Sequence, residues 1–303
     1  MIHYDFTMLE PSLNYVLCPD TQEGHRMAYW QWGNPQSRHV VLCVHGLSRQ
    51  GRDFDVLARA LCLKAGGDLR VVCPDVVGRG QSDWLQDPMA YHVGAYAADM
   101  QVLLAHLQPD TLDWVGTSMG GLIGLAVFGQ PEQPVPLRRL VLNDVGPRIQ
   151  WQALQRIGEY LGQGGEFSSL QQAADAMWKT ATSFGPHTPA QWLDLSRHMV
   201  KPVGGTSGLL TLHYDPRIAL AFQAMTAETA AQGEALLWHL YDHIKAPTLL
   251  TRGAESDLLS HETAQAMTAR GPKARLVEFE AVGHAPTFIT DEQVQVVTSF
   301  LLD

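Results

Sequence analysis

The 303-residue chain is expected to adopt an α/β fold, a largely parallel sheet covered by helices. Three observations carry that expectation. Short runs rich in β-branched residues alternate with longer stretches whose apolar positions follow helical spacing. Several of the short runs are apolar on both alternating faces, as a strand buried between two helical layers requires. Hydrophobic residues make up 46% of the chain against 17% charged, which is enough to bury a large core.

In chain order, NYVLCP (14–19) and RMAYWQWG (26–33) read as an antiparallel hairpin at the sheet edge. The runs 39–46, 69–75, 111–118, 137–144, 246–253 and 274–284 then read as strands. Residues 52–63, 93–108, 118–129, 260–270 and 290–302 carry the helical pattern between them. The alternation breaks near Gly146 and resumes near Pro247. We expect residues 1–146 and 216–303 to form the core and 147–215 a helical cap. Gly-rich runs at 162–165 and 202–208 mark hinges or helix ends in that insert. The cap carries five positive charges (Arg148, Arg156, Lys179, Arg197, Lys201) and five negative ones (Glu159, Glu166, Asp175, Asp194, Asp215).

The formal charge is 21 − 31 = −10, and no Lys/Arg run occurs. That excludes the electrostatic footprint of a nucleic-acid binder and a polybasic membrane patch. Cys18, Cys43, Cys62 and Cys73 form no CxxC pair and have no His at zinc-finger spacing, so no metal site is read from them. Cys43 and Cys73 sit in apolar strand-like runs, where a free Cys behaves as a small hydrophobe. A reducing compartment, the cytoplasm, follows from that usage. The start of the chain, MIHYDFTMLEPSLNY, shows no basic region leading into an apolar one, so no signal peptide is expected. No stretch approaches the roughly eighteen apolar residues of a membrane span.

The sharpest chemical signal is Gly116-Thr-Ser118-Met-Gly120, directly after the apolar run DWV and directly before the helical GLIGLAVF. A Ser at such a strand-to-helix turn is forced into strained geometry that its small neighbours permit, with its hydroxyl thrust out over the sheet edge. The helix N-terminus behind it favours developing negative charge. A Ser hydroxyl needs a base. Among thirteen His residues, His284 alone follows the last strand, in V-G-H-A-P. The base needs a carboxylate to fix its tautomer. Asp257, in the loop after PTLLT, is the expected acid; Glu255 beside it and Asp144 at the end of VLND are the rivals, Asp144 being read in preference as a turn-capping carboxylate. The oxyanion donors are expected to be the backbone N–H groups of Met119 and Leu47. His45 is read as bracing the Leu47 loop through hydrogen bonds.

Taken together, HGLS, D75-V-V-G-R-G-Q-S-D83, GTSMGG, LVLNDVGP, the R-G-x-x-S-D loop and GHAP resemble, in that order, the α/β-hydrolase superfamily. The likeness is to its small esterase and haloperoxidase-like branch with a helical cap, and it covers nearly the whole chain. It implies an eight-stranded, mostly parallel sheet, a Ser–Asp–His triad, and no cofactor. The segment from Gly78 to Ser82 lacks GxGxxG spacing and is read as structural. A Ser in place of an Asp nucleophile argues against epoxide hydrolases and haloalkane dehalogenases. GHAPTF, unlike GHW, argues against carbon–carbon hydrolases, which stay the enzymatic alternative; a non-catalytic receptor built on the same pocket is the other. The expected activity is hydrolysis of a small neutral carboxylic ester, thioester or lactone through acyl-Ser118, with no nucleic-acid or membrane partner.

Overall fold

The fold begins with an edge hairpin. Strands β1 (Ser12–Cys18) and β2 (His25–Gly33) pair antiparallel, with Cys18 opposite His25. The chain continues through β3 (His39–Val44), α1 (Asp55–Lys64), β4 (Arg70–Pro74), α2 (Val93–Leu107), β5 (Thr111–Thr117), α3 (Met119–Phe128) and β6 (Leu137–Asn143). Next come α4 (Trp151–Tyr160), β7 (Glu166–Phe167), α5 (Leu170–Ala181), α6 (Pro189–Arg197), β8 (Val200–Pro202) and β9 (Leu210–Leu212). Helices α7 (Ile218–Gln223) and α8 (Ala227–His243) lead back to β10 (Thr248–Gly253), α9 (His261–Ala269), β11 (Arg275–Phe279) and α10 (Asp291–Leu302). This computed structural model describes residues 10–20, 23–133, 135–204 and 208–303. Residues 1–9 of the stretch read for a signal peptide, and 205–207 of the Gly-rich run, lie outside the described residues.

Eight strands form one sheet in the order β1-β2-β4-β3-β5-β6-β10-β11. Pairings from β4 to β11 are parallel, and only the hairpin edge is antiparallel. This is the α/β-hydrolase arrangement the sequence predicted. Its cause is visible residue by residue, because successive strand side chains point to opposite faces. Val40, Leu42 and Val44 of β3 join one buried cluster, and Val41 and Cys43 the other. Leu140 and Leu142 against Val141 repeat the split on β6. Helices α2, α3, α8 and α9 supply the first cluster, and α1 and α10 the second. All four cysteines are free and buried in these layers. Burial pushes the thiols of Cys18, Cys62 and Cys73 well up, so none is poised as a nucleophile. Among the described residues no helix is long and apolar enough to cross a membrane.

The segment after β6 departs from the helical expectation. Strands β7, β9 and β8 form a small antiparallel sheet. Each has only two or three residues, too few for a period-two pattern to stand out. β8 ends at Pro202 and β9 begins at Leu210, and between them the Val203 N–H donates to Leu209 O at 2.9 Å.

The hairpin edge carries a buried charge pair. His25 Nε2 lies 3.0 Å from Asp99 Oδ2 on α2, and Nδ1 lies 3.5 Å from Asp20 Oδ2. Burial alone lowers the His25 pKa, but the hydrogen bond and charge of Asp99, then Asp20, outweigh it and hold the value above the ordinary one. A raised folded-state pKa gives stability that is fully present below the unfolded value, about 6.5, and is lost as pH rises through the folded value. Urea unfolding of wild type and His25→Gln at acid and alkaline pH should show a gap that narrows on raising the pH. A gap independent of pH would contradict the assignment.

Candidate active site

The turn between β5 and α3 holds Ser118 at φ 51°, a left-handed conformation that costs a non-glycine residue energy. Its neighbours explain how the chain tolerates it. A Cβ on Gly116 would stand 2.4 Å from Gly120 O, and one on Gly120 would stand 1.9 Å from Val44 O. Both positions must be glycine for the turn to close on itself and on β3. The Ser118 N–H donates to Asn143 O at 3.0 Å, and Ser118 O accepts from the Gly121 N–H at 2.9 Å, starting α3.

His284 lies in the loop between β11 and α10. Its Nε2 is 2.9 Å from Ser118 Oγ. The loop is tied from three sides. Asn143 Nδ2 donates to Pro286 O at 2.8 Å, Ser183 Oγ donates to His284 O at 2.9 Å, and the Glu255 N–H donates to Val282 O at 2.9 Å. At its far end Thr290 caps α10 by accepting from the Gln293 N–H.

The acid on His284 is Asp144. Its Oδ2 lies 2.6 Å from His284 Nδ1 and accepts from Ser256 Oγ at 2.6 Å, while Oδ1 accepts from the Gly253 N–H at 2.9 Å. The side chain is fully buried. Asp257 does not take this place, which corrects the sequence expectation. Its Oδ2 accepts from Arg156 Nε and Nη2 at 2.9 and 2.7 Å. Glu255 is exposed and reaches the site through its backbone alone. The reason lies in strand order. β6, which ends one residue before Asp144, neighbours β5, whereas β10 is one strand further away. The 253–260 loop supplies the acid's support through Ser256, the Ser of the R-G-x-x-S-D loop, to which the sequence reading assigned no role.

The loop after β3 faces Ser118 from the other side. Gly46 brings its backbone close enough that an added Cβ would stand 3.7 Å from Ser118 Cβ. His45 accepts the Val76 N–H on Nε2 at 2.9 Å and donates from Nδ1 to Gly46 O at 2.7 Å. Burial drives its pKa down to about 3, so it stays neutral and braces the loop. Arg79, in the segment read as structural, is fully buried and donates from Nε to Leu47 O at 2.8 Å. That bond fixes the Leu47 end of the loop, which gives the segment read as structural its specific role. The backbone N–H groups of Leu47 and Met119 donate to no partner among the described residues.

Ser118 and His284 open into a cavity of about 390 Å³ with predominantly apolar walls. Ile157, Tyr160, Leu161, Met177 and Phe184 of the segment after β6 form much of its roof. Among the described residues, one group of metal-ligating side chains gathers within 4.8 Å, Cys18, His25 and Asp99, and none of the three lines the cavity.

Comparison with known proteins gives the family of the chain. Residues 41–298 match the model of the alpha/beta hydrolase family. The chain is 48% identical to a 3-hydroxybutyrate-oligomer hydrolase of Cupriavidus necator, covering 96% of this chain and 97% of that protein. It is 34% identical to an alpha/beta hydrolase of Novosphingobium aromaticivorans whose crystal structure superposes with a TM-score of 0.82, covering 96% of this chain and 98% of that one.

The packing at the turn makes one position decisive. Gly120→Ala should cost roughly 3 kcal/mol in urea unfolding, because its methyl group meets backbone rather than a movable side chain. A loss below about 1 kcal/mol would show that the turn is less tightly packed than described.

Proposed function

The chain belongs to the alpha/beta hydrolase family, and on that footing we propose that it hydrolyses short oligoesters of 3-hydroxybutyrate through an acyl intermediate on Ser118. The observation that carries this reading is the hydrogen-bonded line Ser118–His284–Asp144 opening into an apolar cavity. The likeness to the Cupriavidus hydrolase supplies the substrate class. A cavity of about 390 Å³ lies near the lower end of the roughly 300–1,000 Å³ typical of small-molecule sites, which suits a few repeat units.

In this reading Ser118 Oγ attacks the ester carbonyl as His284 Nε2 takes its proton. Asp144 holds the Nδ1–H tautomer and stabilises the imidazolium. The N–H groups of Leu47 and Met119 receive the oxyanion at the N-terminus of α3. His284 then protonates the leaving alcohol and activates the water that releases the acyl group as a carboxylic acid. Residues 147–215 act as the cap. They roof the cavity, and Ser183 links them to the His284 loop.

Steady-state kinetics on the methyl ester of the linear 3-hydroxybutyrate dimer test these roles. Ser118→Ala should lower kcat by on the order of 10⁶, leaving a residual rate from the rest of the site. Asp144→Asn should lower kcat by about 10⁴, since an amide favours the wrong His tautomer. Asp257→Asn should cost less than about tenfold, because its carboxylate is engaged by Arg156. A larger loss in the Asp257 variant than in the Asp144 variant would overturn the choice of acid.

A further inference from the structure

Two arginines reach the cavity wall, and they are held in different ways. Arg49 is committed. Its Nε and Nη2 meet the two oxygens of Asp53 at 2.6 and 2.8 Å, Nη2 also donates to Leu195 O at 3.2 Å, and the two side chains are 12% and 19% exposed. Arg156 is held loosely. Its Nε and Nη2 both meet one oxygen of Asp257, at 2.9 and 2.7 Å, the Tyr160 hydroxyl is its other neighbour, and the Arg156 and Asp257 side chains are 38% and 48% exposed. A pair in that setting is screened by water and salt, so exchanging its anion costs little.

Arg156 also stands where a charged end would be needed. It sits in α4, one residue before Ile157 and four before Tyr160, all three lining the cavity that contains Ser118 Oγ. Residues four apart share a helix face, so Arg156 shares a face of α4 with Tyr160 in a wall that is predominantly apolar. A linear oligomer of a hydroxy acid carries a hydroxyl at one end and a carboxylate at the other. Moving that carboxylate toward an apolar cavity without a cation is costly, and a guanidinium fork matches its two oxygens.

We propose that Arg156 binds the free carboxylate of the oligoester, releasing Asp257 and taking the substrate anion in its place. The inference rests on the oligoester reading above. It also orients the substrate. The carboxylate belongs to the half that leaves as the alcohol, so the half ending in the hydroxyl stays on Ser118 as the acyl group. Water then releases that half as a second hydroxy acid. The sequence led to an expectation of a neutral substrate, and the balanced charges of 147–215 show no spare cation; Arg156, however, pairs outside that segment, with Asp257.

The test compares the linear 3-hydroxybutyrate dimer with its methyl ester in wild type, Arg156→Gln and Asp257→Asn, following cleavage of the internal ester by chromatography. The readout is the ratio of kcat/KM for the acid to that for the methyl ester. Taken within one preparation, it is independent of the folded fraction. Wild type should favour the acid. Arg156→Gln should lower the ratio by roughly ten- to a hundredfold, mainly through KM, as expected for a lost charge-assisted hydrogen bond used in ground and transition states alike. Asp257→Asn should raise the ratio by freeing the guanidinium. If wild type cleaves the methyl ester but the ratio does not fall on removing Arg156, this inference is wrong and the ester reading stands. If wild type cleaves neither compound, the ester reading fails and takes the inference with it.

Discussion

The site depends on a serine held in left-handed backbone geometry where two strands and a helix have no room to yield. Ser118 at φ 51° would relax in a free peptide, since such a conformation costs about 1–3 kcal/mol. It is kept by contacts between backbones. Gly116 lies against Gly120, Gly120 against the end of β3, and the Ser118 N–H against β6 through Asn143 O. These contacts aim Oγ at His284 and leave the Met119 N–H at the start of α3 with no partner among the described residues. They also make the site a property of the sheet, because β3, β5 and β6 each hold one side of the turn.

The acid shows how the sheet completes the arrangement. Asp144 follows β6 directly, itself at φ 54°, with its N–H donating to Thr251 O on the far side. Its carboxylate is met by His284 Nδ1, the Ser256 hydroxyl and the Gly253 N–H. Three donors, two from the 253–260 loop and one from the His284 loop, hold both oxygens, and the imidazole is oriented as a consequence. On the opposite side Arg79 and His45, both buried, fix the carbonyls of Leu47 and Gly46. Two loops are thus braced against the serine by buried side chains on either side.

Much of this was legible in the residues. Alternating apolar runs such as VVLCV and LVL gave the sheet, because every second side chain meets a different helical layer. GTSMG between an apolar strand and an apolar helix gave the turn, and the position of His284 after the last strand set it apart from the other histidines. The acid was not legible. The chain order Ser, Asp, His holds for Asp144 and Asp257 alike, so order does not separate them, while adjacency of β6 to β5 exists only once the sheet is built. Arg79 and Ser256 stood within motifs, but their roles were not legible, since their partners lie 32 and 112 residues away in sequence. The small sheet of β7, β8 and β9 escaped because its strands are too short to show a period.

The central claim is that Ser118 carries the acyl group during turnover. Wild-type protein mixed with the methyl ester of the 3-hydroxybutyrate dimer, quenched in acid within the first turnovers and digested, can be read by mass spectrometry. The account predicts a 3-hydroxybutyryl group on the peptide containing Ser118 and on no other peptide. An adduct on another residue, or a rapid first turnover that leaves no adduct at all, would contradict it.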